Sequence, residues 1–314
     1  DRGLMDAIVI DRLTKTYKPV WPWQKATTVL SEVSISVRQG EIFGFLGHNG
    51  AGETTTMKIL LGLLQATSGR VTLMGEPAGN VRMHSRIGYL PEAPYFYDYL
   101  TAEEFLSFYG RLARLPREVV QQRIPALLER VSLVEARHRQ LRKFSKGMLQ
   151  RIGLAQALIH DPELVILDEP MSGLDPVGRK EVRDIILGLR DQGKTVFFST
   201  HIISDVEMVC DRVGILAKGA VVASGRIEEL VKQYSTQTVE VVCDGIVGDD
   251  LPDVKRAAIR ILQRGERCLM VLPGEDQLED VLAAIRRAGG KLVSVIPHKG
   301  AFEEMFLDRT FQRV

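Results

Sequence analysis

The stretch Gly-His-Asn-Gly-Ala-Gly-Glu-Thr-Thr-Thr at residues 47–56 constrains this chain more than any other. The apolar run Ile42, Phe43, Gly44, Phe45, Leu46 ahead of it reads as a buried strand, and residues 57–61 read as helix. Strand, glycine-rich turn and helix in that order give the pattern G-x-x-x-x-G-K-[ST] its physical meaning. Gly47, Gly50 and Gly52 let the backbone wrap closely round phosphate oxygens, and the helix start adds unpaired N–H groups and the positive end of a dipole. Asn49 and Ala51 complete the loop, and Thr54 and Thr55 follow it. Thr54 stands where such a loop places a magnesium-binding hydroxyl. One residue conflicts with the rest. The lysine position holds Glu53, an anion where a cation would reach the β- and γ-phosphates.

Composition narrows the partners. A net charge of +1 over 314 residues is no electrostatic footprint for nucleic acid or an anionic membrane. Cys210, Cys243 and Cys268 form no metal-binding spacing and cannot all pair, which suits a reducing compartment. No apolar run approaches the roughly 20 residues of a membrane helix, and no signal-peptide pattern opens the chain. Residues 1–4, ahead of Met5, read as an appended remnant. The expectation is a soluble, intracellular protein.

Strands are expected at 7–10 and 33–37, with Tyr17 and the Trp21-Pro22-Trp23 segment between them. Adenine rings stack on exposed aromatics, so Tyr17 is a candidate base platform or, alternatively, a half-buried strand-end tyrosine. Residues 71–75 and 86–91 read as further strands. From Thr101 to about residue 136 the pattern turns helical. Thr101 with Glu104 makes a capping box, and Phe105, Phe108, Leu112, Leu127, Leu128 and Val131 recur at helical spacing, as core rather than ligand contacts. Ser145 is a good N-cap for a helix over 149–159, stopped by Asp161-Pro162. Leu164-Val165-Ile166-Leu167 then ends in Asp168-Glu169, two carboxylates at the tip of a buried parallel strand, where ligands of open α/β sheets bind. A turn at 172–176, a helix over 179–192 and a strand at 195–198 lead to His201 on the same sheet edge. Strands at 213–217 and 221–223 close this region.

From about residue 234 the texture changes to a small α+β domain without an acid, histidine or glycine constellation of its own. It reads as a strand at 238–243 and a hairpin of 258–262 with 268–272. A helix capped by Asp276 follows, then a strand at 292–296 and a short helix at 301–307. Regulation, dimerisation and simple packing are all open to it.

In order and spacing, these pieces resemble the ATP-binding subunit of a bacterial ABC transporter over about residues 7–230. Residues 47–55 resemble its Walker A motif, 164–168 its Walker B motif, and Glu169 the catalytic glutamate that follows. Phe144-Ser145-Lys146-Gly147-Met148 is similar to the family signature, 172–175 to the D-loop, and His201 to the switch histidine. Tyr17 falls at the adenine-stacking position. The S-K-G-M signature, Tyr89-Leu90-Pro91-Glu92 and the tail at 301–307 look most like the drug- and sodium-exporting type. The resemblance implies an α/β fold: a P-loop NTPase (RecA-like) ABC ATPase core with an antiparallel β subdomain and a helical insertion, plus the small C-terminal α+β domain. Residues 1–234 would form the nucleotide-binding domain, with the helical subdomain at about 93–160, and residues 235–314 the accessory domain.

The resemblance also implies a mechanism. Two copies form a homodimer, each ATP lying between the phosphate loop of one and Ser145 and Gly147 of the other. Thr54, Asp168 and Glu92 would serve Mg2+, Glu169 would orient or deprotonate water, His201 would stabilise the γ-phosphate, and Asp175 would link the two sites. The helical block would touch transmembrane permease subunits, placing the chain on the inner face of the cell membrane. Two positions depart from the family. Glu92 replaces the usual glutamine and can still offer an oxygen to magnesium. Glu53 is more serious, since unit charges about 4 Å apart interact by roughly 4 kcal/mol at an effective dielectric near 20. An otherwise intact motif set favours an introduced substitution over native degeneracy. The alternatives are a non-hydrolysing structural or regulatory partner of a permease, and an ABC ATPase that transports nothing.

Overall fold

The computed structural model describes residues 6–18, 25–234, 238–246 and 252–298. The Trp21-Pro22-Trp23 segment and the expected helix at 301–307 lie outside them. The chain divides into two compact units, residues 1–227 and 228–314.

In the first unit β1 (Asp6–Tyr17), β2 (Thr27–Arg38), β4 (Ser68–Leu73) and the short β5 (Glu76–Pro77) form an antiparallel sheet in the order β2-β1-β4-β5. A second sheet runs β10 (Ala220–Arg226), β9 (Arg212–Ala217), β3 (Ile42–Gly47), β8 (Thr195–Thr200), β7 (Leu164–Leu167), β6 (Ile87–Leu90). It is parallel except for the β9–β10 hairpin. Every residue of β3, β7 and β8 is buried, as a strand covered on both faces must be. The alternation sorts their side chains between two cores. Phe43, Phe45, Ile166 and Phe197 pack with Ile8, Ile10, Leu13 and Val33 of the antiparallel sheet. Ile42, Val165, Leu167, Val196 and Phe198 pack with the helices. Phe43 and Phe197 stack at 5.9 Å between ring centroids, joining neighbouring strands across the first core.

The helical stretch expected as one pattern from Thr101 is two helices, α2 (Ala102–Leu112) and α3 (Arg117–Arg130), followed by a 3-10 turn at Val134–Ala136. Pro116 caps α3. Proline lacks the N–H to continue a helix and pushes the residue before it out of the α region, so the chain must break there. The Thr101–Glu104 capping box is present: Glu104 N–H donates to Thr101 Oγ1 at 3.3 Å, and Thr101 N–H to Glu104 Oε2 at 2.8 Å. Ser145 caps α4 (Lys146–Leu158), whose Met148 N–H donates to its hydroxyl at 3.3 Å. α5 (Pro176–Asp191) fills the expected span, whereas α6 (Ile203–Val209) is too short to announce itself by periodicity. α7 (Ile227–Tyr234) spans the boundary between the units.

The second unit runs β11 (Thr238–Asp244), α8 (Pro252–Ala257), β12 (Arg260–Arg264), β13 (Arg267–Leu272), α9 (Leu278–Arg287), β14 (Lys291–His298). Its antiparallel sheet has the order β12-β13-β11-β14, the split βαββαβ arrangement of ferredoxin-like domains. Val254, Val281, Ala284 and Ile285 of the helices cover Val239, Val241, Met270 and Leu272 of the sheet. Cys243 and Cys268 face each other across the β11–β13 ladder, both buried. Asp276 is not the cap of α9. Gln277 occupies that position without a side-chain hydrogen bond, and buried Val281, Ala284 and Ile285 hold the helix by packing instead.

Candidate functional site

Parallel pairing builds the site. Leu46 of β3 lies opposite Thr200 of β8, Leu167 of β7 opposite Phe198 of β8, and Leu90 of β6 opposite Leu167. The C-terminal ends of four strands therefore meet at one sheet edge. Gly47 at the end of β3, and Glu92, Asp168, Glu169 and His201 beyond the ends of β6, β7 and β8, come together although they are far apart in sequence.

The carboxylate side is hydrogen-bonded throughout. Ser199 Oγ donates to Asp168 Oδ1 at 2.7 Å and accepts from the Glu169 N–H at 2.9 Å. His201 Nδ1 lies 2.9 Å from Glu169 Oε1. Thr54 hydrogen-bonds Asp168, and the Lys58 cation also favours its charged form. Burial still raises the Asp168 carboxyl above its ordinary range, and Glu92 pushes it the same way. Burial likewise raises Glu169, against the lowering hydrogen bond from His201. Glu169 has φ near 49°, a left-handed conformation that costs a non-glycine residue on the order of 1 kcal/mol and clusters at functional sites.

The loop side is different. α1 (Glu53–Leu60) starts at Gly52, whose φ of 118° only glycine adopts readily, and a Cβ there would run into Leu30 of β2. Asn49 and Gly50 form the exposed crest, Ala51 is buried with its N–H on His48 O at 2.8 Å, and Thr55 is half-buried. Glu53 does not point to solvent. Its side chain turns back over the start of the loop, so that a Cβ built on Gly47 would collide with Glu53 Oε1 and lie 2.6 Å from its Cδ. Glu53 is 9% exposed. Burial pushes its carboxyl up to about 7, the charges of Glu169 and Asp168 add to the rise, and the N–H groups of Glu53 and Gly52 oppose it by hydrogen-bonding the anion.

The remaining candidates form other patches. Ser145 is exposed at the start of α4, with the Lys146 side chain over Gly173 and Gly147 facing Leu174. Asp175 caps α5, accepting from Gly178 N–H at 3.0 Å. Tyr17 is 43% exposed at the end of β1, and Lys15 Nζ sits 5.1 Å from its ring centroid. Glu92, exposed beyond β6, belongs instead to the acid side, where its charge acts on Asp168 and Glu169. Sequence reading passed over Ser199, the bridge of the acid side, and Lys15. The signal for Ser199 was its place two residues before His201 on a buried strand.

Thr54 and Asp168 carry the hard oxygen donors that magnesium prefers. Among the described residues no group of three His, Cys, Asp or Glu is arranged as a metal cage. The glycine loop and helix start suit a phosphate chain, but the Glu53 carboxylate at Gly47 does not.

This sheet, loop and strand-tip acid pair define a P-loop ATPase domain with an antiparallel β subdomain and helical insertion. Residues 30–172 match the ABC transporter family. An uncharacterized ABC transporter ATP-binding protein of Nostoc sp. is 43% identical over 305 residues, spanning 96% of this chain and 89% of that protein. The chain belongs to the ATP-binding proteins of ABC transporters. The bacitracin transport ATP-binding protein of Bacillus licheniformis is 42% identical over 207 residues, covering 65% of this chain and 67% of that one. A solved ATP-binding subunit of an ABC transporter superposes with a TM-score of 0.63 at 30% identity, covering 73% of this chain and 93% of its own. Among the described residues no helix is long and apolar enough to cross a membrane.

Proposed function

We propose that this chain is the ATP-binding and ATP-hydrolysing subunit of a bacterial exporter, working as a homodimer on separate transmembrane permease subunits at the inner face of the cell membrane. The observation that carries this reading is the hydrogen-bonded run Asp168, Ser199, Glu169, His201 beside the phosphate loop. A degenerate site has no reason to keep each of these buried or strained groups partnered. When bound, Mg-ATP would supply the phosphoryl group to be cleaved. Thr54 and Asp168 would hold magnesium, with Glu92 offering a further oxygen.

Tyr17, with Lys15 on its ring, would seat the base. Glu169, oriented by His201, would hold the attacking water, and its carboxyl, raised by burial, is suited to accept a proton. Ser145, exposed, and Gly147, half-buried, at the start of an α-helix would close on the phosphates held by the partner copy, and Asp175 would lie at that junction. The export direction draws support from a Nod factor export ATP-binding protein of Ralstonia nicotianae, 35% identical over 243 residues. Glu53 favours a second reading, a permease partner that does not turn over ATP. Mg-ATP hydrolysis by this chain and by Glu53→Lys decides between them. Activity gained by the lysine variant alone supports a sound site disabled at residue 53, and silence of both variants with permease present favours the second reading.

A further inference from the structure

Electrostatic repulsion is the obvious consequence of an acid at the lysine position, but the geometry adds something repulsion does not. A first-turn glutamate has a long, flexible side chain, and Asp168 and Glu169 repel this one, so an outward rotamer would relieve both desolvation and charge. Instead the carboxyl group lies inside the loop against Gly47, with 9% of the residue exposed. The donors it meets there are the N–H groups of Gly52 and Glu53 at a helix start, with the dipole's positive end behind them. Neither N–H has a backbone partner among the turn and cap hydrogen bonds of the loop, where Ala51 N–H reaches His48 O and Thr56 N–H reaches Gly52 O.

We propose that the Glu53 carboxyl group is a resident occupant of the phosphate seat of its own loop, which a nucleotide phosphate must displace before it can bind. The displaced ligand is named from the proposed function above; the occupancy itself stands on the loop geometry alone. Nucleotide entry thus requires the Glu53 side chain to swing out.

The test compares the intact chain with Glu53→Asp, Glu53→Ala and Glu53→Lys. Aspartate keeps the charge but is shorter by one methylene, about 1.5 Å of reach, which withdraws the carboxylate from Gly47. Amide hydrogen exchange at residues 52 and 53, measured without nucleotide, reads the occupancy directly. Glu53→Asp and Glu53→Ala are expected to exchange there at least tenfold faster than the intact chain, with residues 56–60 unchanged. Equal exchange in all of them overturns the proposal whatever nucleotide does. Mg-ADP binding is then measured on the same proteins. Glu53→Asp is expected to bind at least fivefold more tightly than the intact chain. If it binds no better while Glu53→Ala does, charge alone acts and the proposal fails. If Glu53→Lys binds no nucleotide, the proposed function fails, and the exchange result still decides the occupancy.

Discussion

The two sides of the site bury carboxylates in opposite ways. On the strand-tip side, Asp168 and Glu169 lose water but gain Ser199, Thr54 and His201, so each carboxylate has a named side-chain hydrogen-bond partner. On the loop side, Glu53 is as deeply buried and has only the loop's own N–H groups, with two anions facing it. Burial is therefore not what separates the two sides. The partners are. Asp168 and Glu169 are supported by a hydroxyl and an imidazole, whereas Glu53 meets only backbone N–H groups.

The largest break in this contrast should come from Glu53→Lys, which replaces the buried carboxyl group by a cation. Mg-ATP affinity should rise on the order of 100-fold, equivalent to ~2.7 kcal/mol, as read by calorimetric titration; an unchanged affinity would show that the loop is not the defect. In that lysine background, Glu169→Gln should slow hydrolysis by roughly 100-fold or more while leaving binding within a few-fold. A rate that survives the change would remove Glu169 from the reaction.

Stability sharpens the same comparison. The Glu53 carboxyl titrates at about 7 when folded, against an ordinary 4.5. The protonated form is thus favoured by the fold. Its contribution is fully present below pH 4.5 and is lost as pH rises through about 7. Glu53→Gln cannot ionise, so its advantage over the intact chain should grow from pH 4.5 to pH 8 by on the order of 2 kcal/mol. Denaturant unfolding at both pH values tests this, and a constant gap would contradict it. The smallest effect is away from the site. Thr101→Ala removes the capping box of α2 and should cost about 1 kcal/mol, with no effect on nucleotide binding; a change in affinity would mean that the helical block reports to the loop.

Much of this was legible beforehand because it is local. The capping box and the Ser145 cap are contacts within one helical turn, and both formed as read. The glycine loop between a buried strand and a helix was legible because glycine spacing and apolar runs act over a few residues. The break at Pro116 was written in the sequence too, but the unbroken apolar recurrence on both sides outweighed it in reading. The Asp276 cap failed for the opposite reason: a good capping residue was present, yet the chain starts α9 one residue later, where the apolar face meets its sheet.

What the sequence determined by itself was the set of local parts: a phosphate loop, an acid pair at a strand tip, capped helices, and an anion at the position of the lysine. What only the tertiary structure decided was which parts meet. β8 lies between β3 and β7, so Ser199 and His201 reach Asp168 and Glu169, a consequence of parallel strand order that no stretch of chain encodes alone. The direction of the Glu53 side chain was settled the same way. Outward it would meet water; inward it meets unpaired N–H groups brought together by the turn at Gly47 and Gly52, and a folded loop gives those donors a fixed place to act from.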